Sequence, residues 1–360
     1  MNASLVFATI ATVITSMHAA QLQEVASFPN QQLTGVGVSQ KSSRIFVNFP
    51  YWSDDHPMSV AEIVNGQSRA FPDEEWNKPG PPGSHFICVQ SVVVDDEDNL
   101  WILDPAAPKM QEIVKGGPKL VKVDLTTNKV VQTIPFGEDV APAKSYLNDV
   151  RIDTANQKAF VTESGKGAII VVDLFSGKAR RLLDDHKSTK PESGFKLVVN
   201  RKELIDQQKK SPPQIASDGI ALDAKSGYLY YHALTGHTLY RIKTSYLTDE
   251  KLSKSDLESK VENVAQTPAP DGMLEAPDGS IYLTDLEHSA VVRWNATSNK
   301  IKPVIADKSL LWPDTLSWGP NGDLYVTASQ IENMPRFNGG KSTRTEPYKL
   351  WKITGIEKSD

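Results

Sequence analysis

The chain has 360 residues, a formal net charge of −5 at pH 7 and an isoelectric point near 5.9. Nucleic-acid-binding domains need a basic face, so this acidic balance argues against a nucleic-acid partner. The hydrophobic fraction of 39 % suits an ordinary packed domain, and the single cysteine, Cys88, excludes an intrachain disulfide.

The N-terminal segment has the pattern of a secretory signal peptide. An apolar run from Leu5 to Ile14 is followed by small residues that end at Ala20. The run is too short to span a bilayer, and no other such run occurs. The sequence therefore predicts a signal peptide over residues 1–20, one domain over residues 21–360 and no membrane span. We expect an exported monomer, extracellular or, in a bacterium, periplasmic.

A strand–turn–strand pattern recurs along the rest of the chain. Its clearest copy, SDGIALDAKSGYLYY at Ser217–Tyr231, combines alternating apolar residues, a turn containing glycine and an aromatic-rich run, which together indicate a β-hairpin. The starts of the copies are 43 to 70 residues apart, and an aromatic residue follows each start by 11 or 12 positions. The six leading residues are Thr34, Gln90, Asn148, Asp218, Asp271 and Asp314.

Repeats of this length, with room for four strands each, are typical of β-propeller blades, so the six copies predict an all-β, six-bladed propeller. We expect the recurring aromatic residues to pack between blades. Alternating segments at Leu22–Phe28 and Tyr348–Ile353 favour a closed ring in which the N-terminal strand completes the last blade. The alternative is two unrelated edge strands. A short helix is predicted at Arg201–Lys209, in the charged gap before the fourth repeat.

The leading residues are the candidate site. Innermost strands of a propeller surround a central channel, so equivalent positions on them lie on one ring. All six leading side chains carry oxygen and three are carboxylates, which raise one another's pKa unless a cation lies between them. Calcium accepts such oxygen ligands, so the ring is a candidate calcium site. Turn chemistry of the Asp-Gly pairs is the alternative explanation.

Several sequence blocks resemble those of the major royal jelly protein/yellow family, in the family's order. They are LNDVRID at Leu147–Asp153, SDGIAL at Ser217–Leu222, DGM at Asp271–Met273 and WPDTL at Trp312–Leu316. The resemblance implies a six-bladed propeller. It also implies kinship with gluconolactonase-like propellers, which hold a divalent metal in the central channel.

The resemblance also implies roles for individual residues. Asn148 and Asp271 match metal-ligand positions, Asp218 stands where an asparagine is usual, and Thr34 replaces a glutamate. The implied metal ligands are therefore Asn148, Asp218 and Asp271, and the implied cofactor is Ca²⁺. Thr34, Gln90, Asn148 and Asp218 are the predicted contacts to a small-molecule ligand.

Three functions follow as hypotheses. The favoured one is a metal-dependent lactone or ester hydrolase, with Asp271 and Asp314 as the catalytic carboxylates. The second is non-catalytic binding of amines or other small ligands, since an acidic channel with aromatic walls would attract an ammonium group. The third, by resemblance alone, is a dopachrome-type isomerase. The retained Asn148 and Asp271 favour a metal, whereas the missing glutamate favours binding.

Overall fold

Six four-stranded antiparallel sheets, one for each sequence repeat, form the body of the protein. The computed structural model describes residues 19–53 and 56–357. Innermost strands of neighbouring blades contact each other around a closed ring, and the last of them contacts the first. The predicted all-β, six-bladed propeller is confirmed.

The strands follow the chain blade by blade. The first half contains β1 (Gln21–Phe28); blade 1 with β2 (Val36–Val38), β3 (Ile45–Asn48), β4 (Val60–Val64) and β5 (Gln67–Ala70); blade 2 with β6 (Ser91–Val94), β7 (Asn99–Asp104), β8 (Lys119–Asp124) and β9 (Lys129–Pro135); and blade 3 with β10 (Leu147–Asp153), β11 (Lys158–Glu163), β12 (Ala168–Asp173) and β13 (Ala179–Leu182). A small hairpin, β14 (Val198–Val199) and β15 (Lys202–Glu203), precedes blade 4.

The second half continues in the same way. It contains blade 4 with β16 (Ser217–Asp223), β17 (Tyr228–Ala233), β18 (Thr238–Lys243) and β19 (Glu262–Gln266); blade 5 with β20 (Met273–Glu275), β21 (Ile281–Asp285), β22 (Ala290–Asn295) and β23 (Lys300–Ala306); and blade 6 with β24 (Pro313–Trp318), β25 (Leu324–Ala328) and β26 (Tyr348–Thr354). The α-helices in the described ranges are α1 (Glu74–Asn77), α2 (Thr244–Thr248) and α3 (Lys254–Glu258).

The two ends of the chain close the ring in blade 6. Strand β1 lies antiparallel to β26 on the outer side of the sheet, from Gln21 opposite Thr354 to Phe28 opposite Tyr348. Phe28 is buried and its ring lies 5.3 Å from that of Phe49 in blade 1, so the closing strand also packs on the neighbouring blade. The predicted closure is confirmed, and the alternative of two unrelated edge strands is wrong.

The core lies between neighbouring blades, where the recurring aromatic residues were expected. Phe46 of blade 1 packs with Ile102 of blade 2, and Phe160 of blade 3 packs with Leu229 of blade 4. Five of the six recurring aromatic side chains are buried, and Tyr325 is partly buried. Burial of large flat side chains between sheets is the main source of stability in such a fold.

The predicted helix at Arg201–Lys209 is wrong. Strand β15 begins this segment, and a turn follows in which the Asp206 carboxylate accepts the backbone N–H groups of Gln208 and Lys209. Asp206 also forms an isolated bridge with Ser211. A short polar side chain that bonds to its own backbone competes with the helix, and here this local bonding prevails.

Other expectations concern the membrane, the leader and the cysteine. No helix within residues 19–53 and 56–357 has the length and apolarity required to cross a membrane. The predicted signal peptide, apart from residues 19 and 20, lies outside the described residues, so it and the domain boundary at residue 21 stay predictions. Cys88 is a free cysteine, and it is buried as a small apolar residue would be.

Candidate functional site

A cavity of about 1420 Å³ opens at the end of the propeller where the innermost strands begin. Five of the six leading residues line it, and we call these five the channel floor. They are Gln90, Asn148, Asp218, Asp271 and Asp314. The sequence repeat therefore brings five distant side chains together, because each leads the innermost strand of its own blade.

Irregular strand pairing occurs at three of the five floor residues. Regular pairing is interrupted at the equivalent point of blades 3, 4 and 6: after Leu147, after Ser217 and after Pro313. A β-bulge re-aims the side chains at the point where it interrupts the ladder. The leading residues Asn148, Asp218 and Asp314 lie in these interruptions.

The glycines after Asp218 and Asp271 have a packing reason. A Cβ atom on Gly219 would lie 2.7 Å from the carbonyl oxygen of Asp271, and one on Gly272 would lie 1.9 Å from that of Asp314. Neighbouring innermost strands therefore approach too closely for any side chain there. The contact between blades therefore requires the glycine of each Asp-Gly pair.

Buried threonines on the second strands bond to the innermost strands at or directly after the leading residues, and sequence reasoning missed them. Thr284 accepts the backbone N–H groups of Asp271 and Gly272, while Thr162 accepts that of Asp149. Thr327 in blade 6 accepts the N–H of Thr315 in the same manner. Each threonine follows the recurring aromatic residue by two positions, so the repeat itself carries the signal.

Three buried carboxyl groups line the channel floor. Asp218, Asp271 and Asp314 are 2 %, 6 % and 5 % exposed. Burial, reinforced by the charge of Asp271, holds the pKa values of Asp218 and Asp314 well above their ordinary range. Burial also raises the pKa of Asp271 to about 7, although a hydrogen bond from Trp312 opposes the shift. Asp218 Oδ1 is buried and has no hydrogen-bond partner. The floor is therefore short of positive charge.

The other floor oxygens have defined partners. Asp271 Oδ2 accepts the indole N–H of Trp312 at 2.6 Å. Asp314 accepts hydroxyl groups at both oxygens, from Ser329 at 2.8 Å and from Thr315 at 3.1 Å. Asn148 donates its amide N–H to Ser164 at 3.1 Å, which leaves its amide oxygen available to a cation.

A buried guanidinium lies further along β10, and sequence reasoning did not identify it. Arg151 Nη2 lies 3.8 Å from Asp149 Oδ2 and donates to the carbonyl oxygen of Met273 at 2.6 Å. Burial lowers the pKa of Arg151 and raises that of Asp149. The Asp149 charge also helps to raise the pKa of Asp218. The cavity end of the channel is thus acidic, and Arg151 supplies a positive charge next to Asp149.

Aromatic side chains form the cavity wall. Tyr146 accepts the indole N–H of Trp52 at 2.9 Å and donates its hydroxyl to Gln90 Oε1 at 2.8 Å. Burial holds the Tyr146 pKa well above its ordinary value, so the phenol stays neutral. Trp312 and Phe337 also line the cavity. This wall gives a ligand apolar surface next to the acidic floor.

Thr34 does not join the other leading residues. It is fully buried, lies outside the cavity lining and donates its hydroxyl to the backbone oxygen of Gln90 at 3.2 Å. The amide of Asn48 donates to the Thr34 hydroxyl at 2.9 Å. In this position Thr34 supports the backbone of the floor and presents no oxygen to a ligand.

The floor fits a calcium ion by donor chemistry. Asn148, Asp218 and Asp271 offer an amide oxygen and two carboxylates, the hard oxygen ligands that Ca²⁺ prefers, and one carboxylate oxygen lacks a partner. In the part of the chain that the structure describes, no three His, Cys, Asp or Glu side chains are grouped to hold a metal ion. Calcium would therefore need the Asn148 oxygen and further oxygens from backbone or water.

Comparison with known proteins gives a match to a family model and weaker matches to individual proteins. Residues 87–344, more than half of the chain, match the family model described as "Major royal jelly protein". Major royal jelly protein 6 of Apis mellifera is 21 % identical over 65 % of this chain and 53 % of its own length. Protein yellow of Drosophila melanogaster is 22 % identical over 91 % of this chain and 68 % of its own length. The chain thus spans about half to two thirds of these relatives.

Solved structures share the fold at low sequence identity. A gluconolactonase from Xanthomonas campestris superposes with a TM-score of 0.57 and 11 % identity, covering 96 % of this chain and 93 % of its own. The calcium-binding protein regucalcin from Agrobacterium tumefaciens gives 0.55 and 13 %, covering 92 % and 94 %. At such identities these structures support the propeller fold alone.

Proposed function

The chain belongs to the major royal jelly protein family, and we propose that its cavity binds a small organic molecule through a positively charged group. One observation carries the proposal: three carboxyl groups are buried together in the channel floor, and an oxygen of Asp218 has no partner. Burial favours the protonated form of these acids when no ligand is bound, and a ligand that supplies a cation would let them ionise, so such a ligand is favoured.

The wall explains why an organic cation suits the cavity. Trp52, Tyr146 and Trp312 line the space above the floor. Aromatic faces attract ammonium groups, and this attraction grows when water is excluded. The large cavity volume accommodates the rest of an aromatic or aliphatic amine.

Titration calorimetry with phenylethylamine at pH 8, with chelator present, tests the proposal. We expect saturable binding by the wild-type protein. Asp271→Asn should weaken this binding about tenfold, because it removes one charge from the floor. The matched control is Glu97→Gln, which removes an exposed charge in the β6–β7 turn and should leave binding unchanged. Absence of binding by the wild type would exclude this function.

Calcium-assisted opening of lactones or esters is the second candidate, and the available Asn148 oxygen favours it. When bound, Ca²⁺ polarises a substrate carbonyl. Asn148, Asp218 and Asp271 would hold the ion. Asp314 would accept a proton from water, and the hydroxyl groups of Ser329 and Thr315, which donate to its two oxygens, fix the orientation of its carboxylate.

A parallel assay separates the two candidates. Lactone opening is measured by proton release with added Ca²⁺ and with chelator, in wild type and in Asp314→Asn. Calcium-dependent turnover that falls in Asp314→Asn supports the hydrolase. Amine binding that persists in chelator, with no lactone opened under either condition, leaves binding as the function.

We also propose that the protein is exported and that processing follows Ala20. Strand β1 begins at Gln21, so cleavage there would keep the whole closing strand. Mass spectrometry of the mature protein tests this, because a chain that retains residues 1–20 would contradict it.

A further inference from the structure

Arg336 lies on the rim of the cavity in a fixed orientation. It belongs to the 3-10 helix Pro335–Phe337 and donates from Nη2 to Asp206 Oδ2 at 3.0 Å. Its guanidinium lies 4.8 Å from the centre of the Phe337 ring, and its backbone oxygen accepts the N–H of Gln207 at 2.8 Å. Two side-chain contacts and one backbone hydrogen bond therefore hold Arg336 in place before any ligand arrives.

The other edge of the guanidinium has only a weak partner. Nη1 donates to the thioether sulfur of Met110 at 3.3 Å, and thioethers are poor acceptors. Met110 and Arg336 both line the cavity, and the Arg336 side chain is 28 % exposed. A guanidinium edge at the cavity surface is thus available to a stronger acceptor.

The rim as a whole is more basic than the floor. Besides Arg336, three exposed lysines line the cavity: Lys115, Lys144 and Lys209. The acidic rim residues are Glu112 and Glu138. The floor carries the three buried carboxyl groups. The cavity therefore has ends of opposite sign, joined by an aromatic wall.

From this arrangement we infer that the ligand is a dipolar molecule with an ammonium group at one end and a carboxylate at the other. The guanidinium of Arg336 binds the carboxylate, since its planar fork matches that group. The inference deepens the proposed function and rests on it for the ammonium end. Arg336 is thereby the residue that distinguishes amino acids of this kind from simple amines.

Calorimetry with matched ligands tests the inference in the wild-type protein. The first pair is phenylethylamine and its derivative with a para carboxylate. The second pair is the longer biphenyl homologue of each, because the distance between floor and rim sets the best ligand length. We expect the carboxylate to tighten binding about tenfold in at least one pair, as a charge-assisted hydrogen bond would. Equal affinity within both pairs would overturn the inference but leave amine binding intact. Absence of binding by every ligand would overturn both.

Variants identify the residue. Arg336→Gln should remove the tenfold preference and leave phenylethylamine affinity unchanged, whereas Asp271→Asn should weaken both ligands. Arg336→Lys, which keeps the charge but not the fork, should retain part of the preference and covers the case in which Arg336→Gln does not fold. The matched control is Arg69→Gln on exposed strand β5, which should change nothing. A preference that survives Arg336→Gln would overturn the assignment.

Discussion

Trp312 donates its indole N–H to Oδ2 of Asp271 at 2.6 Å, so that one bond links the aromatic wall of the cavity to its acidic floor. The tryptophan has a backbone φ of +54°, a left-handed conformation that is unfavourable for a bulky residue. Its carbonyl oxygen accepts the N–H of Ser329, which helps to hold this conformation. The pair orients the carboxylate in the floor and lowers its pKa relative to an unbonded buried acid.

Replacing the donor should move ligand binding to higher pH. Trp312→Phe removes the bond that opposes the upward pKa shift of Asp271, so its carboxylate would form at a pH above about 7. We expect the midpoint of phenylethylamine binding against pH to rise. Trp318→Phe is the matched control, because its indole donates to the backbone of Glu275. An unchanged midpoint in Trp312→Phe would contradict the role of the bond.

The buried acids should also make stability depend on pH. The pKa of Asp271 is about 7 in the folded protein and near its ordinary value, about 4, when unfolded. Between these values the folded state binds the proton that the unfolded state releases, so this group lowers the free energy of unfolding as pH rises. The largest slope is about 1.4 kcal/mol per pH unit.

The comparison with Asp271→Asn measures this effect together with the smaller upward pKa shifts of Asp218 and Asp314 that follow from loss of the Asp271 charge, which act in the same direction. We expect the variant to gain stability over wild type progressively from about pH 4 to about pH 7, as measured by urea unfolding without ligand. His232, whose pKa burial lowers to about 4, titrates in both proteins and cancels in the difference. A stability difference that does not change with pH would show that Asp271 is ionised throughout.

Closure of the ring should depend on the buried side of β1. Phe28→Ala removes a buried ring that packs on Phe49, and such truncations cost about 3–5 kcal/mol. Chemical unfolding measures the loss. Phe175→Ala is the matched control, because that phenylalanine is 91 % exposed and its removal should change stability little. Equal effects of the two substitutions would contradict a stabilising role for the closing strand.

Thr34 should support the floor without touching the ligand. Thr34→Val removes the hydroxyl that bonds to the Gln90 backbone and accepts from Asn48, at a cost of about 1–2 kcal/mol in the free energy of unfolding. Ligand affinity should stay within about twofold of wild type, because Thr34 lies outside the cavity lining. Loss of a direct hydrogen bond to the ligand would lower the affinity by more than this. A tenfold loss of affinity with unchanged stability would instead make Thr34 a direct ligand contact.

Sequence reasoning predicted the six blades and the residues of the channel floor, with one residue assigned wrongly. A hairpin depends on alternation and a turn within about fifteen residues, so each repeat is visible locally. Because equivalent positions of a propeller meet at its axis, five floor residues followed from the repeat. The exception is Thr34, which lies outside the cavity lining because its hydroxyl bonds to the Gln90 backbone and accepts from Asn48.

The contacts that give the site its chemistry were beyond the sequence. Trp312 bonds to Asp271 from another blade, and Arg336 meets Met110 and Asp206 through loops that are far apart in the chain. Nothing in the sequence predicted that Arg151 would pair with Asp149 and bond to the backbone of Met273 in the next blade but one. Repeat spacing and alternation alone determined the fold class, the ring closure and the oxygen-rich floor. Only the tertiary structure decided which charges are paired, because pairing depends on how loops of unrelated sequence converge over the axis and on how much water they exclude there.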